Sequence, residues 1–187
     1  FNFWCGELAR ALDIVKVRFL RGPNIYHSRK TVVKAIIEPY KGYSRSLVGD
    51  FQFLLSYIED IFPVIDEIID GGIQSFVRNR EPLYALLPYL AIILQNRVSW
   101  REKVEFARYF DREEMGLPVV VFEYLYEPVG EEALYIARDI IEELLDNREP
   151  PLDRWLRYLK KIYFDYAYGP STRAIVEAAK NRGIPVI

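Results

Sequence analysis

With one cysteine (Cys5), one histidine (His27) and one methionine in 187 residues, the chain is poor in the side chains that carry most metal and nucleophile chemistry. A single Cys allows no internal disulfide, and one Cys with one His excludes a zinc site of the ordinary Cys/His type. That usage fits a reducing cytosol, so a cytoplasmic protein is expected. Charge of one sign is lacking too: 25 basic and 27 acidic residues leave a net charge of −2. No overall field draws nucleic acid or an anionic membrane, and neither is expected as a partner. Long hydrophobic runs are missing, since Ala85–Leu94 falls well short of the ~20 residues a spanning helix needs. Residues 1–12 set Phe1, Phe3 and Trp4 beside Glu7 and Arg10, and so read as neither signal peptide nor anchor. There is no G-x-x-x-x-G-K-[ST] loop, no nucleophile elbow and no internal repeat. Gly71-Gly72 is a loop break without a phosphate-binding pattern. Opening on Phe1 rather than Met, the chain reads as a fragment or a processed protein.

Apolar residues, by contrast, are abundant: 51% of the chain, with 14 Tyr and 11 Phe. A chain this long buries about 70% of its unfolded surface, enough for a substantial core. Alternation over Asp13–Leu20 and Thr31–Ile37 predicts two strands joined by a Gly-Pro-Asn turn. Helical spacing follows over Ser46–Phe62, with a shorter helix at Val64–Ile69. Leu83–Gln95 is apolar nearly all round and reads as a buried helix that Pro88 kinks or restarts. Arg101–Phe110 and Leu117–Tyr124 read as strands; Glu131–Asn147, Asp153–Tyr166 and Thr172–Arg182 read as helices, the last capped by Ser171 or Thr172. The sum is an α+β domain, a small mainly antiparallel sheet of about four strands packed against several helices. Residues 1–12 form an N-terminal extension and residues 13–187 a single domain.

Three motifs carry a family resemblance: Phe19-Leu20-Arg21-Gly22-Pro23-Asn24-Ile25-Tyr26, Val121-Phe122-Glu123-Tyr124-Leu125, and the run from Gly169-Pro170-Ser171-Thr172 through Arg182-Gly183-Ile184-Pro185. In order and spacing they resemble the N-terminal domain of the cyanophycin synthetases, ATP-dependent ligases that build a poly-aspartate chain carrying arginine branches. The resemblance spans roughly residues 14–187 and is poor from Ser44 to Arg112. It implies an accessory domain whose ATP-grasp and Mur-ligase-like catalytic domains follow Ile187, with ATP and magnesium needed only there. It implies further that this domain holds the growing polymer or a related peptide near those active sites, in a homo-oligomeric parent. A structural module that only packs catalytic domains or subunits together is the alternative. Many family members carry His-x-x-Glu-His on the helix matching Leu83–Gln95. Aligning on Leu94-Gln95 puts Ala85, Leu86, Leu87, Pro88 and Tyr89 at those places, so no catalytic residue, metal ligand or cofactor is assigned to this segment.

The candidate substrate-binding residues lie on the loop after the first strand. Arg21, Arg29 and Lys30 gather positive charge beside Asn24, Tyr26 and His27, and could hold polymer carboxylates through charge-assisted hydrogen bonds. A solvated basic turn is the alternative reading of the same residues. His27 either titrates against a carboxylate-rich substrate or lies exposed beside Tyr26. Arg78, Arg80 and Glu81 read as a polar loop. Glu123, in an apolar strand, demands a partner: a substrate arginine, a core arginine, or solvent at the strand end. Tyr158, Tyr163, Tyr166 and Tyr168 read as core.

Overall fold

The structure is a computed structural model and describes residues 11–39, 52–167, 169–182 and 184. Cys5 and most of the N-terminal extension, the start of the helix expected from Ser46, Tyr168, and Gly183 and Pro185 of the closing motif lie outside the described residues. Four strands make one sheet: β1 (Leu12–Leu20), β2 (Val32–Pro39), β3 (Ala107–Glu114) and β4 (Leu117–Glu123). Their order is β1-β2-β4-β3, antiparallel at every step. Between β2 and β3 come α1 (Gln52–Ile61), α2 (Ile65–Ile68), α3 (Ile73–Asn79), a 3₁₀ turn (Leu83–Leu86) and α4 (Leu87–Val98). After β4 come α5 (Glu127–Leu145), α6 (Leu152–Tyr166) and α7 (Pro170–Asn181). The α+β class and the single antiparallel sheet are those read from the sequence.

The central pair explains its own composition. On β2, Val33, Ala35 and Ile37 face the helices, while Val32 and Ile36 face the other way; on β4, Val120 and Phe122 oppose Val119 and Val121. All nine are buried, so neither strand shows the half-polar alternation of a one-sided sheet. The edge strand β1 does alternate, and a bulge at Val15 leaves that residue exposed. Strand β1 opens at Leu12, whose N–H donates to Glu142 Oε1 of α5 at 2.9 Å. Helix α4 lies in the middle of the molecule against β4, α5 and α6, which is why its sequence is apolar on every face. Pro88 restarts the chain as a helix: the 3₁₀ turn ends at Leu86 and Pro88 stands in the first turn of α4, where a missing N–H costs nothing. Among the described residues no helix is long and apolar enough to cross a membrane.

Several expectations need correction. The strand expected over Arg101–Phe110 begins only at Ala107 and runs on to Glu114. Residues 102–106 are irregular because side chains hold their backbone: Asn96 pairs with Val104 through both N–H and carbonyl, and Glu123 accepts from the N–H groups of Glu105 and Phe106. Beyond them, Met115 and Gly116, both at positive φ, turn the two-residue hairpin. Arg78 is not in a loop but on α3, a helix absent from the sequence reading. Asp66 Oδ1 caps it by accepting from Ile73 N–H at 2.7 Å, and Ile73 and Phe76 anchor it in the core. Helix α7 starts at Pro170, so Ser171 and Thr172 belong to its first turn rather than standing ahead of it. Of the tyrosines expected in the core, Tyr163 is buried, while Tyr158 and Tyr166 are more than half exposed because they lie on the outer face of α6.

Candidate functional site

The loop between β1 and β2 is organised by Asn24. Its Oδ1 accepts from the N–H groups of Tyr26 (2.9 Å) and His27 (3.0 Å), and its Nδ2 donates to the carbonyls of Gly22 (3.0 Å) and Lys30 (2.9 Å). This is the turn-forming chemistry of asparagine, doubled. Gly22, at φ +72, supplies the left-handed backbone that lets the chain leave β1. Asn24 therefore shapes the loop and has no amide group left to offer a ligand.

Tyr26 and His27 fold back over the sheet face that carries no helix. The Tyr26 ring packs on Phe110 at 5.5 Å and the His27 ring meets Phe106 edge-on at 5.1 Å, closing the small apolar cluster of Val32, Ile36, Val119 and Val121. The Tyr26 hydroxyl donates to Glu113 at 2.5 Å, and Lys34 lies over its ring at 5.3 Å. Burial, and then the bond to the Glu113 carboxylate, push that hydroxyl's pKa up. His27 Nδ1 accepts from Arg29 N–H at 3.1 Å, which places any ring proton of the neutral form on Nε2.

The three cations have different fates. Arg21 Nε donates to Glu127 Oε1 at 2.6 Å, tying the loop to the first residue of α5. Lys30 Nζ lies 2.7 Å from Glu123 Oε2 and 3.9 Å from Glu105 Oε2. Arg29 is exposed and, among the described residues, its side chain has no partner. Glu123 is the residue whose role the sequence left open. Its Oε2 accepts from Lys30 and from two backbone N–H groups of the 105–106 segment, so it joins the hairpin loop to the approach of β3. All six candidate residues share one loop. Of these only Arg29 presents a free charge, with Ile25 (85% exposed) beside it.

The Arg21–Glu127 pair makes a titration test. The hydrogen bond from the Arg21 guanidinium holds the Glu127 carboxyl below the usual carboxylate range. A depressed folded pKa stabilises above the unfolded carboxyl's titration, near ~4.3, and that contribution is lost as pH falls through the folded value. We expect the carboxyl of Glu127, followed by carbon-detected NMR, to titrate low in the parent and to return to the ordinary range in Arg21→Ala. An unchanged midpoint would mean that the pair does not persist in solution.

The positions that match His-x-x-Glu-His in the family resemblance lie in the core. Ala85, Leu86, Leu87 and Pro88 are buried, and Tyr89 meets Phe76 edge-on at 5.6 Å. Among the described residues no group of three or more His, Cys, Asp or Glu could hold a metal ion.

No protein-family model matches the chain. It aligns with the cyanophycin synthetases of Trichormus variabilis and of a Nostoc species at 28% identity over 182 residues, and with that of Geminocystis herdmanii at 24% over 185 residues. The chain is similar to the N-terminal region of cyanophycin synthetase. Each alignment takes in 93% of this chain. The chain spans about a fifth of the length of these relatives, 20% to 21% of each. The resemblance read from three short motifs thus extends over nearly the whole chain, including the stretch between Ser44 and Arg112 where the motifs gave little.

Proposed function

We propose that this chain is the accessory N-terminal domain of a cyanophycin-synthetase-like ATP-dependent ligase, and that it holds the aspartate–arginine polymer or a related peptide for ligase domains elsewhere in the parent. The alignment over 93% of the chain carries this reading. In it the ligase domains take ATP and magnesium, and this domain takes neither. Holding a polymer near an active site raises the local concentration of its ends without any chemistry at the holding site. The hairpin loop suits a contact point: it is pinned by Asn24, Glu123 and Glu127 and turns Arg29 outward at a strand end, where loops commonly carry function. The same reading places the protein in the cytoplasm, as part of a homo-oligomer.

A packing module is the second reading, favoured by the exposed Tyr158, Phe164 and Tyr166 of α6 and Ile175 of α7. Co-sedimentation with cyanophycin separates the two. We expect the chain to bind the polymer, with binding that weakens as salt screens charges beyond ~8 Å. Arg29→Ala should weaken binding by about two- to fourfold at low salt, the scale of one exposed charge. A parent chain that fails to co-sediment at low salt would hand the case to the packing module.

A further inference from the structure

We propose a ligand cleft at the C-terminal end of α4 that takes an extended peptide segment bearing both carboxylate and guanidinium groups; this rests on the polymer-holding reading above. Two surface cavities, each of about 570 Å³, adjoin at Arg97. The first lies between α2 and residues 103–105, the second between the end of α4 and α6. Arg97 is fixed between them. Its Nη2 donates to the Ile61 carbonyl at 2.8 Å and its guanidinium lies over the Phe62 ring at 5.0 Å.

The lining has a consistent chemistry. Ile93 and Val104, both buried, line the first cavity, and Val98 and Leu156 line the second. Such a lining accepts the methylene stem of a long charged side chain. Both signs of charge surround it: Glu67 and Lys103 at the first cavity, Asp153, Arg157 and Lys160 at the second. Among the described residues Glu67, Asp153 and Arg157 have no ion-pair partner, although Asp153 and Arg157 stand one helical turn apart on α6, a spacing at which opposite charges usually meet. The hairpin loop is the opposite case, since Arg21 and Lys30 already have carboxylates at 2.6 Å and 2.7 Å. Lys103 Nζ donates to the Asn96 carbonyl at 3.2 Å and Lys160 Nζ lies over the Phe164 ring at 6.0 Å. The groups left to a ligand are therefore the carboxylates of Glu67 and Asp153 and the guanidinium of Arg157. They match a ligand that carries the complementary pair, through charge-assisted hydrogen bonds of both polarities. Glu105 lines the first cavity and also stands 3.9 Å from Lys30.

The test titrates a synthetic peptide of alternating aspartate and arginine, with poly-aspartate and poly-arginine of equal length as comparisons, against the 187-residue chain. We expect the alternating peptide to bind more tightly than either homopolymer and to slow amide exchange at Arg97 and Lys103–Glu105. The triple variant Glu67→Gln, Asp153→Asn, Arg157→Gln changes only surface groups. It should keep the parent's thermal midpoint and lose about tenfold in affinity for the alternating peptide, the combined scale of three exposed charged contacts. If the folded triple variant binds the peptide as the parent does, or if a homopolymer binds as tightly, the cleft is not the site. Cyanophycin co-sedimentation by the parent would then leave the polymer-holding reading standing. If the parent binds neither the peptide nor cyanophycin, both fall.

Discussion

Replacing Gly130 by alanine lowers the stability of the chain by about 2 kcal/mol, against the usual preference of helices for alanine. Gly130 is the fourth residue of α5, where the helix crosses the sheet. A Cβ added there would lie 2.7 Å from Cβ of Tyr124 and 3.1 Å from Cγ2 of Val33. Neither neighbour can give way cheaply. The Tyr124 atom is fixed directly to the backbone at the end of β4, and its ring is held edge-on by Phe19 at 5.6 Å. Val33 is fully buried in β2. Overpacking of this kind costs about 1–3 kcal/mol and sometimes more. Alanine recovers about 1 kcal/mol of helix propensity over glycine, which leaves a net loss. The control is Gly169→Ala. Its added Cβ meets nothing within 4 Å, so its urea midpoint should stay within about 0.5 kcal/mol of the parent. A Gly130→Ala protein as stable as the parent would show that α5 does not approach the sheet this closely.

That glycine also shows where the sequence was legible and where it was not. Elements with a long, unmixed period were readable: β1, β4, α4, the body of α5 and α6 all lie where their patterns put them, to within a few residues. The order of strands and helices followed from them. What failed were segments whose structure is imposed from outside. Glu127-Pro128-Val129-Gly130 reads as a break before a helix starting at Glu131, because Pro and Gly punctuate. In the fold, Pro128 is tolerated in the first turn and Gly130 is there for close approach. Helix α3 has only seven residues and depends on a carboxylate, Asp66, that precedes it by seven positions. Residues 101–106 carry apolar side chains at strand-like spacing, yet the N–H groups of Val104, Glu105 and Phe106 go to the side chains of Asn96 and Glu123. The Phe106 carbonyl is the point at which the segment joins β4, accepting from Glu123 N–H at 2.8 Å.

The candidate site divides in the same way. Asn24 as a turn-builder follows from its residue type beside Gly22 and Pro23, and the clustering of the basic residues on one loop needs only sequence adjacency. Which of them carry free charge depends on partners about ninety to a hundred positions away, Glu123 and Glu127, and no local pattern encodes that. The cleft around Arg97 was invisible for the same reason. It joins α2, α4, residues 103–105 and α6. Asp153 and Arg157 stand one helical turn apart on α6, but that spacing alone does not bring α2, α4 and residues 103–105 to them.

The second large effect is expected at Gln95. It lies on α4 with no exposed surface, and its amide is engaged at both ends. Nε2 donates to the Glu123 carbonyl at 3.0 Å and to the Ala91 carbonyl at 3.3 Å, while Oε1 accepts from Leu125 N–H at 3.0 Å. The chain between β4 and α5 leaves the ladder just there, and Gln95 supplies the hydrogen bonds that the sheet no longer provides. Gln95→Leu fits the space but leaves the Leu125 N–H without that acceptor and the Glu123 carbonyl without that donor. A buried group left unsatisfied costs about 1–3 kcal/mol. These two backbone groups are half-buried, so each costs toward the lower end and the variant should lose about 2 kcal/mol. The loss should read as a lower urea midpoint at an unchanged m-value, with faster amide exchange at Leu125. Gln95→Glu separates hydrogen bonding from volume. It keeps an acceptor for Leu125 N–H, and in its neutral form it can still donate to Glu123, whereas its ionised form adds a buried charge. Its stability should therefore improve on acidification relative to the parent, a response Gln95→Leu lacks. The effect also reaches the candidate site, because the carbonyl that Gln95 holds belongs to Glu123, whose carboxylate anchors Lys30 and the 105–106 segment. A Gln95→Leu protein within 1 kcal/mol of the parent would mean that α4 is joined to β4 by packing alone, and that the hairpin loop is positioned independently of the core.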